Sequence, residues 1–169
     1  MNDAKVAGRI VRRDAVAAKE WDPALLLSSP HNTITMAHGL LKGKRGIISG
    51  ALNEQSIAWK VAELAYAEGA SIVLTNAPVA MRMGEINKLA EAIKAPVIGA
   101  DATKDEDLEK LFTESKQHLG GQIDFVLHSI GMSPNVRKGK TYDDLNYEWY
   151  KQTLDISAMS LHRMLQAAK

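Results

Sequence analysis

The stretch from Gly46 to Ala58 constrains the fold more than any other part of the chain, because it contains a strand, a turn and a helix start in immediate succession. Residues Gly46–Ser49 form a short β-branched run that is typical of a buried parallel strand. Gly50 follows, at a point where a chain that leaves a strand for a helix often needs a positive φ. Ser56 then opens a helical pattern. Its apolar positions are Ile57, Val61, Leu64 and Ala65.

This succession also predicts a binding site for the pyrophosphate of a dinucleotide. Unpaired backbone N–H groups at the helix start and the positive end of the helix dipole would both face the anion. The usual glycine fingerprint of such sites contains three glycines, whereas Glu54 and Ser56 occupy the second and third positions here. From this pattern alone, an ordinary strand-to-helix turn is an equally good interpretation.

Composition narrows the functional classes. The 169 residues carry a net charge of +1 and only 5% aromatic residues, so no nucleic-acid partner is expected. No apolar run approaches the length of a membrane span, and we expect no membrane partner. The absence of cysteine excludes disulfides, thiolate metal sites and a cysteine nucleophile, and it fits a reducing, cytoplasmic location. The histidines lack the paired helical spacing of a metal site, so no metal is expected.

Residues 1–38 differ in pattern from the rest of the chain. The segment Val6–Ala18 places arginines among small apolar residues, and Trp21-Asp22-Pro23 interrupts that pattern. We interpret residues 1–38 as an N-terminal extension that is mobile or not native, since Met36 lies just before the domain. A transit peptide is the alternative, and the acidic residues of the segment argue against it.

From Leu41 onwards, the sequence alternates between strand and helix patterns. Four strands are predicted, at Gly46–Ser49, Ser71–Thr75, Pro96–Ala100 and Ile123–Leu127. The helical patterns include Glu85–Ile93, Asp105–Leu119 and a long helix from about Thr141 towards Lys169. Strands that alternate with helices form a parallel sheet with right-handed crossovers. The predicted fold is therefore α/β, with a Rossmann-type doubly wound parallel sheet over residues 39–169.

A second motif, His128-Ser129-Ile130-Gly131, follows the fourth predicted strand, where open α/β sheets bind their ligands. Together with Gly50 and Ser56-Ile57-Ala58, it resembles the enoyl-acyl-carrier-protein reductases, a divergent branch of the short-chain dehydrogenase/reductase family. The resemblance extends from about Leu41 to Lys169. It implies an enzyme of fatty acid biosynthesis that reduces trans-2-enoyl thioesters, held on acyl-carrier protein, by hydride transfer from NADH. It also implies a homotetramer, in which the long helix packs against its counterpart.

The resemblance further implies a set of cofactor-binding residues. They are Gly50, Ser56 and Ile57 after the first strand, Asp101 and Ala102 after the third, and Ser129, Ile130 and Gly131 after the fourth. Asp101 and Ala102 would border the adenine, and the last three residues would lie along the ribose and nicotinamide. Ser133 would lie near the acyl substrate.

Asp101 also has a purely structural interpretation, as a carboxylate at the start of the next helix. However, Thr103-x-x-Glu106 forms a capping box at that helix start. Because the box already satisfies the helix terminus, Asp101 is left free for the adenine.

The end of the second predicted strand distinguishes NAD from NADP in many such folds. Thr75–Pro78 offers no carboxylate for the ribose hydroxyls, and Arg82 follows at a distance from which it could reach a 2′-phosphate. A solvated Arg82 at the start of the next helix is the alternative. The resemblance favours NADH, and NADPH stays open.

In the family, a tyrosine and a lysine in Tyr-x6-Lys spacing stabilise the enolate and orient the ribose. No tyrosine of this chain has a lysine at that spacing. We therefore predict no catalytic residue within the chain and expect the pair beyond Lys169. Tyr147 and Lys151 form a Tyr-x3-Lys pair, but they follow Gly131 too closely, and we interpret them as a coincidental surface pair.

The chain thus resembles the N-terminal part of a reductase, truncated after the fourth strand and the long helix. One alternative is a non-catalytic dinucleotide-binding or subunit-association module. Another is a ketone or alcohol oxidoreductase of the same fold. His128-Ser129-Ile130-Gly131 argues against the latter, because it replaces the usual Asn-Asn-Ala-Gly of those enzymes.

Overall fold

Four parallel strands form one sheet in the order β3-β2-β1-β4. The computed structural model describes residues 38–169, apart from the side chain of Met83. The strands are β1 (Arg45–Ser49), β2 (Ser71–Asn76), β3 (Val97–Gly99) and β4 (Phe125–His128). Every neighbouring pair is parallel, which confirms the predicted α/β fold with a doubly wound parallel sheet. The predicted extension over residues 1–38 lies outside the described residues, apart from His38.

Strand β1 occupies the centre of the buried region. Ile47 is paired with Val73 of β2 on one side and with Val126 of β4 on the other. Ile47, Ile48 and Ser49 are all completely buried. Because β1 has strands on both sides and helices on both faces, its apolar run is continuous rather than alternating.

Helices cover both faces of the sheet. They are α1 (Ile57–Ala67), α2 (Pro78–Met83), α3 (Ile86–Ile93), α4 (Asp105–Leu119), α5 (Pro134–Arg137), α6 (Tyr147–Leu154) and α7 (Ser160–Ala167). Side chains of α1, α2 and α3 pack against one face, and those of α4 and α7 pack against the other. None of the helices described between residues 38 and 169 is long and apolar enough to cross a lipid bilayer.

The buried face of α1 differs from the predicted one. Ile57 is 74% exposed and Leu64 is 56% exposed, so these predicted inward positions are wrong. The buried residues of α1 are Ala58, Trp59, Ala62 and Ala65. Three of these side chains are alanines, which allow the helix backbone to approach the sheet closely. Three alanines and Trp59, rather than the branched residues, therefore form the packing face.

The predicted long helix begins later than expected and contains an irregular turn. Asn146 caps α6, because its side-chain oxygen accepts a hydrogen bond of 3.0 Å from the backbone N–H of Trp149. A 3-10 turn (Tyr142–Asp144) precedes this cap, and a π-helical segment (Asp155–Met159) joins α6 to α7. A π-helical turn is wider than an α-helical one, so it changes which residues face the sheet.

Gly46 allows β4 to pack closely beside β1. Gly46 and Phe125 are register partners, and a Cβ atom added to Gly46 would lie only 2.2 Å from Cζ of the Phe125 ring. The ring therefore lies over the bare backbone of Gly46 and packs against the core on that face. Any side chain at position 46 would displace it.

We expect the substitution Gly46→Ala to lower the free energy of unfolding by about 1–3 kcal/mol, because the added methyl group overpacks the contact with Phe125. Urea denaturation measures this change. In a Phe125→Ala background the ring is absent, so the same substitution should cost much less. An equal cost in both backgrounds would show that the ring contact is not the cause.

Candidate functional site

The carboxyl ends of β2, β3 and β4 border a cavity of about 370 Å³. Ligands of open parallel sheets bind at this edge. The lining residues lie at or after the ends of these strands, or belong to α2, α5, α6 and the π-helical segment. They are Asn76, Ala77, Val79, Ala80, Ala100, Asp101, Ala102, Thr103, Ile130, Gly131, Met132, Arg137, Gln152 and Ile156.

The turn after β1 packs directly against the segment that follows β4. Gly50 has a φ of 91°, and a Cβ atom at this position would lie 2.0 Å from the backbone carbonyl oxygen of Ser129. The N–H of Gly50 donates to the carbonyl of Thr75 at 3.1 Å. The prediction of a glycine turn with positive φ at this position is confirmed, since both the dihedral angle and the space require glycine.

Ser56 stabilises the loop between β1 and α1 from within. Its hydroxyl accepts a hydrogen bond from the N–H of Leu52 at 3.2 Å and donates to the carbonyl of Asn53 at 2.7 Å. By contrast, the backbone N–H groups of Ile57 and Ala58 have no hydrogen-bond partner within residues 38–169. The groups that this helix start can offer an anion are therefore backbone N–H groups, not the serine hydroxyl.

Asp101 lines the cavity, and one of its two carboxylate oxygens already accepts hydrogen bonds from within the chain. Its Oδ1 accepts hydrogen bonds from the N–H of Thr103 at 3.0 Å and from the Thr103 hydroxyl at 2.8 Å. The predicted capping box is therefore wrong, because the Thr103 hydroxyl binds Asp101 instead of capping α4. The other carboxylate oxygen, Oδ2, has no partner within the described part of the chain and can accept from a ligand.

The segment after β4 is held on both sides of Gly131. Ile130 packs against the core, and the backbone N–H of Met132 donates to the Ser157 hydroxyl at 3.1 Å. The same hydroxyl donates to the carbonyl of Met132 at 3.3 Å. A Cβ atom added to Gly131 would meet no atom within 4 Å. The contacts of Ile130 and Met132 therefore hold the backbone of Gly131 in place, and the space beside Gly131 is open.

The hydroxyl of Ser133 has local partners. It accepts a hydrogen bond of 3.4 Å from the N–H of Val136, which caps α5, and it lies 3.2 Å from the hydroxyl of Thr153. Ser133 is not among the cavity-lining residues. Its predicted contact with the acyl substrate stays a prediction.

A hydrogen-bonded contact between the buried Asn135 and the backbone of Asn146 fixes α5 beside the cavity. The side chain of Asn135 accepts from the N–H of Asn146 at 2.9 Å and donates to the carbonyl of Asn146 at 3.1 Å. Asn135 is only 2% exposed. Because both polar ends of its amide are satisfied, this residue holds α5, and Arg137 with it, against the start of α6.

His128 links β4 to α7. Its Nε2 lies 2.7 Å from the Ser160 hydroxyl, and that hydroxyl donates to the carbonyl of Ile156 at 2.6 Å. Serine has one hydroxyl proton, so His128 must donate through a protonated Nε2. Partial burial lowers the pKa of His128 below its usual value, which favours this neutral imidazole.

Tyr147 and Lys151 lie together on the exposed side of α6. The ammonium of Lys151 is 4.8 Å from the centre of the Tyr147 ring and also pairs with Glu148 at 2.9 Å. Neither Tyr147 nor Lys151 lines the cavity. Across residues 38–169 there is no cluster of three or more histidines, cysteines or carboxylates that could hold a metal ion.

The structure brings some of the predicted site residues together and leaves others outside the cavity. Asp101, Ala102, Ile130 and Gly131 line it, whereas Gly50, Ser56, Ile57, Ser129 and Ser133 do not. Sequence reasoning missed several other lining residues, among them Arg137, Gln152 and Ile156. Arg137 belongs to a polar segment with no motif, and the π-helical segment that carries Ile156 has no sequence signal.

Comparison with known proteins identifies a family. The model for enoyl-(acyl carrier protein) reductases matches residues 50–169. Over 136 residues, the chain is 35% identical to the enoyl-acyl-carrier-protein reductase (NADH) FabI of Rickettsia bellii, and the match covers 79% of this chain and 51% of that protein. The chain thus spans about half the length of the curated relatives it matches.

Solved structures agree with this assignment. The FabI-NADH complex from Alistipes finegoldii has a TM-score of 0.76 and 62% identity, covering 78% of this chain and 46% of that one. The Bacillus cereus enoyl-acyl carrier protein reductase with NADP+ and indole naphthyridinone has a TM-score of 0.68 and 29% identity, covering 76% and 51% of the two chains.

The lowered pKa of His128 makes stability depend on pH. Because the unfolded chain binds a proton more readily at this histidine, stability is full above the ordinary pKa of about 6.5. It falls as the pH drops through that value towards the folded pKa. We expect His128→Gln to reduce the difference in urea midpoint between pH 7.5 and pH 5.5. A variant of the exposed His118, His118→Gln, should keep the wild-type difference, and an identical difference in all three proteins would refute the assignment.

Proposed function

The chain belongs to the enoyl-(acyl carrier protein) reductase family, and from this we propose that residues 39–169 form the NADH-binding part of an enzyme that reduces trans-2-enoyl thioesters. The thioester would be carried on acyl-carrier protein, and the reaction would belong to fatty acid biosynthesis. The observation that carries the proposal is the cavity at the strand ends, where Asp101, Ala102, Ile130 and Gly131 meet. Relatives named as NADH-dependent reductases support the choice of NADH.

The residues beside β3 suit an adenine. The free Oδ2 of Asp101 can accept a hydrogen bond from the exocyclic amine, while its Oδ1 is held by Thr103. Ala102 is small and 8% exposed, so it supplies an apolar wall beside the ring. This combination of one polar anchor and an apolar surface is usual for a cofactor site.

The turn after β1 suits a pyrophosphate. Gly50 gives the backbone its required φ, and Ser56 fixes the loop by its internal hydrogen bonds. The unpaired N–H groups of Ile57 and Ala58 then lie at the start of an 11-residue helix, at the positive end of its dipole. In this role Ile57 contributes its backbone, which is compatible with its exposed side chain.

The segment after β4 suits the nicotinamide side of the cofactor, which supplies a hydride when bound. Ser129, Ile130 and Gly131 would contact it, and Ser133 would lie near the acyl substrate. Ser157 holds Met132 by both backbone groups, so the segment is fixed before any ligand binds. Such preorganisation lowers the entropic cost of orienting a ligand.

We assign no catalytic residue within residues 1–169. The sequence contains no Tyr-x6-Lys pair, and the exposed pair of Tyr147 and Lys151 lies outside the cavity. In this proposal, the described residues bind and orient the cofactor. They do not account for proton supply to the substrate.

The proposal also includes assembly and organisation. We propose a homotetramer with a cytoplasmic location, in which the helical run from α6 to α7 meets a second copy. Large apolar side chains exposed along this run support it, namely Tyr150, Leu154, Met159, Leu161 and Leu165. We further propose that residues 1–38 form an N-terminal extension outside the nucleotide-binding domain.

Calorimetric titration of NADH into the 169-residue chain tests the proposal. We expect saturable one-to-one binding that adenosine 5′-monophosphate inhibits by competition, because both ligands would use the cavity beside Asp101. We expect no oxidation of NADH when an enoyl thioester is added. Absence of NADH binding would refute the proposed site, and NADH oxidation would refute the absence of catalytic residues.

Gly131 offers a sharper test of where the cofactor binds. We expect Gly131→Ala to leave the unfolding free energy within about 0.5 kcal/mol, since a Cβ atom there meets nothing within 4 Å. The methyl group would occupy ligand space, so NADH should bind about tenfold more weakly, equivalent to about 1.4 kcal/mol. Gly50→Ala is the contrasting variant, because it should reduce stability as well as binding. Unchanged NADH affinity in Gly131→Ala would contradict the proposed position.

A further inference from the structure

The carboxyl end of β2 lacks the group that selects against a phosphorylated ribose. In dinucleotide-binding sheets, a carboxylate near this position accepts from the ribose 2′-hydroxyl, and it repels a 2′-phosphate. Here Asn76 ends β2 and lines the cavity. Its side-chain oxygen accepts a 2.9 Å hydrogen bond from the N–H of Ala77. What remains of the amide is its NH2 group, a donor, which is compatible with phosphate oxygens.

Arg137 supplies a positive charge to the same cavity. Within the described chain it is the one cationic side chain among the lining residues. Its own backbone N–H donates to the carbonyl of Ser133 at 3.1 Å, and the hydrogen bonds between the side chain of Asn135 and the backbone of Asn146 anchor the helix that carries it. No carboxylate among residues 38–169 forms an ion pair with Arg137. Its guanidinium is therefore available to a ligand.

The cavity that Arg137 lines does not include the region that suits a pyrophosphate. Gly50 and the start of α1, which suit a pyrophosphate, are not among the lining residues. The cavity that Arg137 lines also includes Asn76 and Ala77 from the end of β2 and Asp101 from the end of β3. These ends are where the adenosine half of a dinucleotide binds in such sheets. A phosphate bound at the β2 side of this cavity would therefore be one attached to the adenosine ribose, whereas Ile130 and Gly131 line its β4 side.

Arg82, the arginine that the sequence indicated for this role, is less well situated. It lies in the last turn of α2 and is exposed, and it does not line the cavity. Arg82 and Arg137 thus form a matched pair of exposed arginines, of which only one lines the cavity.

We propose that Arg137 binds the 2′-phosphate of a phosphorylated adenosine ribose, so that the site accepts NADPH as well as NADH. The inference rests on the proposed dinucleotide site. Guanidinium groups bind phosphate oxygens through two parallel N–H donors, which makes this contact strong and geometrically specific. The amide of Asn76 adds a further donor at the same end of β2. Arg137 then determines the cofactor range of the site.

The experiment compares two nucleotides that differ only by one phosphate. Adenosine 2′,5′-bisphosphate and adenosine 5′-monophosphate are titrated into the full chain by calorimetry. We expect the bisphosphate to bind about tenfold more tightly, the scale of one charge-assisted contact. Arg137→Gln should bring the ratio of the two affinities close to one, and Arg137→Lys should restore part of it. Arg82→Gln should leave the ratio unchanged.

The outcomes separate this inference from the proposed function. A wild-type ratio near one, or a ratio unchanged in Arg137→Gln, would overturn the role of Arg137 while leaving adenosine binding intact. Equal weakening of both nucleotides in Arg137→Gln would also overturn it, since that result indicates a contact with the 5′-phosphate or a structural role. Failure of the wild type to bind either nucleotide, or NADH, would refute the proposed site itself, and the inference with it.

Discussion

The close approach of β4 to β1 is the constraint on which the rest of the structure depends. At one end of β1, the bare backbone of Gly46 accommodates the ring of Phe125. At the other end, Gly50 turns with a φ of 91° directly against the carbonyl of Ser129. Because β4 carries the segment that lines the cavity, the position of that segment is determined by how closely the two strands pack. A side chain at either glycine would therefore disturb the cavity, although neither residue lines it.

The π-helical segment provides the second support of the cavity. It allows Ile156 to line the cavity while Ser157 binds the backbone of Met132 and Ser160 binds His128. The π-helical segment is thus joined to the backbone after β4 at Met132, and α7 is joined to the end of β4 at His128. π-helical turns are rare, and they occur frequently at functional sites, where they reorient side chains within an otherwise regular helix. Here the irregular turn couples the end of β4 to α7, and the neutral His128 is part of that connection.

The sequence was sufficient for the sheet, its parallel order and the glycine turn, because these follow from apolar periodicity and from backbone sterics. It was also sufficient to select Asp101 and Gly131, whose positions after strands bring them to the same edge. Sequence patterns gave a wrong prediction where one side chain has several possible hydrogen-bond partners nearby. The hydroxyl of Thr103 could cap α4 or bind Asp101, and the outcome depends on a loop conformation that no pattern encodes. Arg137 was missed because a contact distant in sequence, between Asn135 and Asn146, fixes its helix.

Whether a polar side chain near the cavity is free for a ligand is decided by the hydrogen bonds it has already made. The hydroxyl of Ser56 is bonded within its own loop, and that of Ser133 to Val136 and Thr153. Both hydroxyls therefore have structural roles. Asp101 has given one carboxylate oxygen to Thr103 and retains the other. Asn76 has given its oxygen to the backbone and retains only donors. Asp101, Asn76 and Arg137 thus offer a ligand one acceptor beside β3 and donors beside β2 and α5. An adenine amine requires an acceptor, and a phosphate requires donors. The local hydrogen bonds that hold the loops therefore also determine which ligand groups the cavity can bind.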